Sequence, residues 1–218
     1  AVTFRYSING IVDLFAMDQT TGQSLPHRRA DEPLPLQAVA EQKVPAHFAL
    51  LIDCSGSMFG PDFAAVKRIT KSLIKSNIGN ANHFSIIGSP GDIVASHTRD
   101  FQTLNSAIDE LKAVGGSPLH LGIARARNTL GHAVGHRRVL VMLSDGLTDN
   151  RDTTSGECRR IRQSGGRVIA MGLTPTADHH YLASLCSNRN DYHRYTENIS
   201  ADENNLLDGA YHNLAAQS

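Results

Sequence analysis

Asp53, Ser55 and Ser57 stand at alternate positions in the stretch FALLIDCSGSM, residues 48–58. An apolar block that runs into Asp-x-Ser-x-Ser and then a helix puts one carboxylate and two hydroxyls on a single loop. Such hard oxygens suit Mg²⁺, Mn²⁺ or Ca²⁺ and are poorly matched to zinc or copper. Two other segments carry the same chemistry. Gly115-Gly116-Ser117-Pro118 offers a hydroxyl just ahead of a helix beginning near Leu119, and Ser144-Asp145-Gly146 follows the apolar block 139–143 with a carboxylate. Neighbouring parallel strands lie under ~5 Å apart, so Asp53 and Asp145 on adjacent strands can share one small cation. Ser55, Ser57, Ser117 and water would complete its shell, leaving one position open to an external carboxylate.

Each piece also has a purely structural alternative. Ser117 before Pro118 reads as a helix N-cap followed by proline at the first helical position. Ser55 or Ser57 can cap the helix after the first strand, and Asp145-Gly146 can be a plain turn. Cys54 would be a reactive thiol only if a helix N-terminus lowered its pKa; a small side chain packed behind the loop is the simpler reading. Catalysis finds little support. There is no Gly-x-Ser-x-Gly elbow and no Gly-Lys-Ser/Thr phosphate loop. Neither His47 nor His120 can be assigned as a base for Ser55 or Ser57. His132 and His136 stand four apart, but Ala133-Val134-Gly135 between them lacks the glutamate of a zinc protease. The chain is therefore expected not to be an enzyme, and no small-molecule substrate is expected.

These loops need strands and helices to hold them. Apolar blocks at 47–52, 139–143 and 168–172 suit strands buried on both faces of a parallel sheet. Runs at 84–88 and 93–97, joined around Pro90-Gly91, predict a tight turn and one antiparallel strand, and a short strand is expected at 192–195. Helical spacing appears at 63–78, 104–112, 119–130, 154–164, 178–185 and 201–215. Such alternation predicts an α/β fold, a doubly wound and mostly parallel sheet flanked by helices, over residues 46–218. Ligands of that architecture sit at the carboxyl ends of strands, where Asp53 falls. Residues 26–45, with Pro26, Pro33, Pro35 and Pro45, read as a proline-rich linker. Residues 1–25 read as an appended β-hairpin, with Asn9-Gly10 as a two-residue turn between alternating strands and Thr20-Thr21-Gly22 as a second turn.

Lys+Arg and Asp+Glu are both 21, so formal net charge is zero and no global field favours nucleic acid or an anionic membrane as partner. No apolar run is as long as a membrane span and no signal-peptide pattern opens the chain. Three cysteines, Cys54, Cys158 and Cys186, without pairing or metal-type spacing, indicate a reducing, cytoplasmic setting. The start at Ala-Val-Thr-Phe without an initiator methionine suggests a fragment of a longer polypeptide.

Two resemblances follow from these residues. The three oxygen-bearing segments resemble the metal-ion-dependent adhesion site of the von Willebrand factor type A domain, over about residues 46–216. The first segment maps onto Asp53, Ser55 and Ser57, the second onto Ser117 and the third onto Asp145. The middle segment of that family usually carries threonine; Ser117 keeps the hydroxyl and loses the methyl that limits its rotamers. The resemblance implies a six-stranded Rossmann-like fold, a bound Mg²⁺ (or Mn²⁺ or Ca²⁺), and a protein partner that supplies Asp or Glu to the metal. Gly56, Met58, Gly116 and Gly146, beside the ligands, are then expected to face that partner. Separately, the run VTFRYSINGIVDLFAMDQTTGQSL resembles the end of the substrate-binding β-domain of the seventy-kilodalton heat-shock chaperones, sharing Val2, Thr3, Phe4, Asn9, Gly10, Ile11, Ala16, Asp18, Thr21 and Gly22. It implies that the metal domain is the C-terminal adaptor of a larger chaperone-like protein. Alternatives are a chaperone peptide-binding unit in which that domain is mainly structural, or a metal-dependent hydrolase.

Overall fold

The computed structural model describes residues 2–6, 12–16, 21 and 44–194. These fall into two units, one within Ala1–Lys43 and the other within Val44–Ser218. The helix expected at 201–215, all but the end of the linker expected at 26–45, and the Asn9-Gly10 turn lie outside the described residues.

In the first unit β1 (Val2–Tyr6) pairs antiparallel with β2 (Val12–Ala16). A two-residue turn at Asn9-Gly10 would set Tyr6 opposite Asp13, whereas Tyr6 is opposite Val12. The register sets Val2, Phe4 and Tyr6 opposite Ala16, Leu14 and Val12.

The second unit is built on a six-stranded sheet: β3 (Ala46–Ile52), β4 (His83–Gly88), β5 (Asp92–Thr98), β6 (Arg137–Ser144), β7 (Arg167–Gly172) and β8 (Tyr192–Arg194), in the order β5-β4-β3-β6-β7-β8. All pairs are parallel except β4 with β5. The chain leaves β3 through α1 (Pro61–Asn77) to β4 on one side; β6 lies on the other. The switch point of the doubly wound sheet is thus the crevice between β3 and β6, where such folds bind ligands.

β3 carries the core on both faces. Phe48, Leu50 and Ile52 point to one side, where α1 and α2 (Phe101–Glu110) supply Phe63, Val66, Ile69, Leu104 and Ile108. Ala49 and Leu51 point to the other, covered by α3 (Leu119–Gly131), α4 (Arg151–Gln163) and α5 (His179–Leu185) through Ile123, Ile161 and Leu182. Each large apolar side chain so buried contributes about 1.5–3 kcal/mol, which anchors the strand that ends at Asp53. Gly122 brings α3 down onto β3, since a Cβ there would lie 2.5 Å from Leu51 Cδ1. Helix starts are capped as the polar residues allow: Asp100 accepts from the Gln102 and Thr103 amides, Asn150 from Thr153 and Asp178 from Tyr181. The Asp100 cap starts α2 three residues ahead of the expected 104.

Candidate metal centre

Asp53 and Asp145 sit directly beyond the paired ends of β3 and β6, where Ile52 is opposite Leu143 and the Asp53 amide donates to the Leu143 carbonyl at 2.9 Å. Both carboxylates are buried. Asp53 Oδ2 accepts from Ser144 Oγ at 2.6 Å and Oδ1 from the Ser55 amide at 3.0 Å. Asp145 Oδ1 accepts from the Leu147 amide at 2.9 Å, and Oδ2 from Ser57 Oγ at 2.6 Å. Because Ser57 gives its proton to a carboxylate, its oxygen is left to accept from Ser55 Oγ, 3.0 Å away. Asp53, Ser55, Ser57 and Asp145 are thereby brought together, as their spacing predicts.

Ser117 lies on a loop hydrogen-bonded to both others. Gly56 N–H donates to Gly115 O at 3.0 Å and Val114 N–H to Cys54 O at 2.7 Å. Asp149 N–H and Thr148 Oγ1 both donate to Ser117 O, at 3.2 and 3.1 Å. The Ser117 hydroxyl itself is buried without a hydrogen-bond partner among the described residues. A buried hydroxyl left unpaired costs about 1–3 kcal/mol. The helix after it has Pro118 at its N-cap and no side-chain cap, so Ser117 does not cap. Nor do Ser55 and Ser57: the short helical turn Gly56–Met58 and α1 both start without a side-chain cap. The structural alternatives for the three serines therefore fail.

Burial raises the Asp53 pKa above the ordinary carboxylate value; the hydrogen bonds from Ser144 and Ser55 oppose this, and the negative charge of Asp145 adds to it. Two buried acids at neighbouring strand ends, with an orphaned hydroxyl on the adjoining loop, are a donor set a small hard cation would satisfy. The described residues hold no cluster of three or more His, Cys, Asp or Glu suited to a metal; this donor set has two carboxylates and draws its other oxygens from serines. The residues present fit such an ion.

Two expectations for neighbouring residues are corrected. Met58 is fully buried, turned inward by the Gly56–Met58 helical turn into the core beneath the loop, and cannot meet a partner. Gly146 is buried with φ 79°, and a Cβ there would meet the Leu182 side chain at 3.0 Å and the Asp178 carbonyl at 3.2 Å. It lets the turn pass under α5 and does not face outward. Gly56 and Gly116 are exposed. Cys54 is buried in the core and its thiol is pushed up to about 12 by burial and then by Asp53, which leaves it unreactive at neutral pH.

The sequence reading missed two features. Ser144 is a positioning residue: it donates to Asp53 and accepts from the Gly146 amide at 2.9 Å, tying the two carboxylate loops together. Large apolar side chains also stand exposed on all three loops: Phe59 (78% exposed), Val114 (67%) and Leu147 (49%). Their signal was available in the sequence, since each is a bulky residue within three positions of a candidate ligand in a glycine-bearing loop.

Residues 48–148 match the family model of the von Willebrand factor type A domain. The sheet order and flanking helices have the Rossmann-like fold of that domain, and fold and family model together support a von Willebrand factor type A domain here. Solved structures similar to this chain include the vWF domain of the type V pili tip protein Mfa5 from Porphyromonas gingivalis, 13% identical, with a TM-score of 0.67 over 80% of this chain and 97% of that one. The manganese-loaded TRAP protein of Plasmodium vivax is 16% identical, with a TM-score of 0.62 over 75% of this chain and 74% of that one. Proximal thread matrix protein 1 of the mussel byssus is 17% identical, with a TM-score of 0.67 over 77% and 48%. At these identities the likeness is one of fold. A curated relative, an uncharacterized protein of Borreliella burgdorferi, is 25% identical over 138 residues, 59% of this chain; the chain spans 40% of that relative's length. Domains of this family typically serve adhesion or protein interaction and are mostly non-catalytic. Among the described residues no helix is long and apolar enough to cross a membrane.

Proposed function

We propose that this chain is a non-catalytic, divalent-metal-dependent protein-interaction module that engages an Asp or Glu of a partner protein through its metal. One observation carries the reading. The loops after β3 and β6 join Asp53, Ser55, Ser57 and Asp145 in one hydrogen-bonded set, and the buried Ser117 hydroxyl on the loop laced to both has no partner. These five residues would hold Mg²⁺, or Mn²⁺ or Ca²⁺, and a manganese-loaded structure with this fold supports that class of ion. The bound ion would supply an electrophilic position for an incoming carboxylate. The chain's own residues do the rest. Ser144 holds Asp53 in place, and Phe59, Val114 and Leu147 offer apolar contact around the acid.

A non-catalytic role is supported by the serines themselves. The bonds of Ser55 and Ser57 run to each other and to Asp145, and among the described residues no imidazole is bonded to either hydroxyl. The three cysteines are buried and unpaired, which supports a reducing, cytoplasmic setting. The heat-shock-like run at the start of the chain supports a place as the C-terminal adaptor of a larger chaperone-like protein.

Titration calorimetry tests the reading. Wild type is expected to bind one Mg²⁺ or Mn²⁺, and Ser117→Ala to bind it at least tenfold more weakly while melting no lower, because an orphaned buried hydroxyl is removed. Unchanged metal affinity in Ser117→Ala together with equal binding by Asp53→Ala would overturn it.

A further inference from the structure

At the other end of the sheet four imidazoles meet. His47 is the second residue of β3, His83 the first of β4, His97 lies near the end of the antiparallel β5, and His136 directly precedes β6. His83 and His97 stack with centroids 4.3 Å apart and planes 9° from parallel; His47 meets His97 edge-on at 4.7 Å, and His136 meets His83 at 4.8 Å. The set runs from a fully buried ring, His47, out to an exposed one, His97.

The hydrogen bonds assign the protons. His136 Nδ1 lies 3.0 Å from the Val134 carbonyl, which can only accept, so Nδ1 carries the hydrogen. Neutral His136 then accepts at Nε2 from His83 Nδ1–H, 3.0 Å away. Ser85 Oγ accepts from the His97 amide at 2.9 Å and lies 2.8 Å from His47 Nε2. His47 Nδ1 and His97 Nδ1 lie 3.4 Å apart, so one of them carries a hydrogen and the other accepts it. One proton per ring satisfies every contact. Positive charge on more than one ring would bring like charges within 4.3–4.8 Å, centroid to centroid, and like charges that close repel.

β5 depends on this end. Of its seven residues only Ala95 is buried, its pairing with β4 has two register irregularities, and His97 adopts the left-handed conformation at φ 47°, which a non-glycine residue keeps only when its surroundings hold it. We propose that the four imidazoles are a proton-sensitive latch, holding the edge strand β5 on the sheet at neutral pH and releasing it in acid.

The charges around the latch work against an added proton. Burial comes first in lowering His47, to about 4, followed by His97, His136 and His83; His83 is lowered by burial, His97, His136 and Arg99. Arg137, next to His136, donates to the Val44 carbonyl, and Arg138 to the Ser164 carbonyl. The carboxylate of Asp100, at the start of α2, is engaged by the Gln102 amide and by Thr103.

Amide exchange by NMR on the full chain, from pH 7 to 5 and corrected for intrinsic rates, reads the latch. β5 amides are expected to lose protection at least tenfold relative to those of β3. The double variant His97→Asn, His136→Gln, whose asparagine tolerates the left-handed backbone, is expected to remove that selective loss. Parallel loss in β3 and β5, or an unchanged response in the double variant, would overturn the proposal. Should the variant not fold, the wild-type ring titrations decide: His47 and His83 titrating independently at the ordinary histidine value would overturn it, and depressed, mutually dependent titrations would support it.

Discussion

The carboxyl ends of β3 and β6 present two acids and three hydroxyls, and the amino ends of β3, β4 and β6 present imidazoles. Both clusters are partly buried, both join residues far apart in sequence, and both are built on β3. They differ in what their hydrogen bonds leave over. At the carboxyl end one buried hydroxyl has no partner among the described residues and two carboxylates are buried together, a donor set that the proposed cation would complete. At the amino end neutral rings satisfy one another, and positive charge on more than one of them would repel. Similar burial of similar numbers of polar atoms would yield the proposed metal site in one place and the proposed clamp in the other. The difference lies in how each set meets positive charge.

Experiments can break this contrast or sharpen it. The largest effect is expected from Asp53→Ala, which should lower metal affinity by more than about 100-fold, beyond the usual effect of losing a supporting partner. It should leave the acid response of β5 unchanged, as read by calorimetry and amide exchange; loss of both would mean the two ends act as one unit. Next, stability should fall as pH drops. The fold lowers His47 from 6.5 to about 4, so the unfolded chain takes up the proton first, and on the order of 3 kcal/mol is lost between those pH values. Urea titrations across this range check it; a flat profile would remove the strain assigned to the amino end.

Gly122→Val should cost about 1–3 kcal/mol by overpacking Leu51 on β3, and should weaken both ends through the strand they share. Ser144→Ala should reduce metal affinity about 10-fold to 100-fold through misplaced Asp53, with a melting temperature close to wild type in the presence of excess metal. The smallest effect on the domain itself is expected from Phe59→Ser. Metal affinity and stability should stay within error, while metal-dependent capture of an acidic partner falls.

The two ends also differ in how far they could be read from the sequence. Asp53, Ser55 and Ser57 fall within five residues, and Ser117 and Asp145 each sit beside glycines in loops, so local pattern alone singles out all five as candidate ligands. The imidazole cluster draws one ring from each of four segments, and no spacing joins His47, His83, His97 and His136 until the sheet order is known. His136 invited a helical pairing with His132, but α3 ends at Gly131 and Gly135 takes φ 76°. Met58 was misplaced because loop composition does not say which way a one-turn helix rotates its last side chain. The two strands of the first hairpin pair antiparallel as their alternation predicts, and its turn lies outside the described residues.

The irregular pairing of β5 has one more consequence, for how copies of the molecule behave together. A long flat edge strand is a template on which a second sheet can grow. Here the β5 edge is bent by two register irregularities. It offers no regular row of free amides and carbonyls, so a second copy crowded against it finds no straight template on which to extend the sheet.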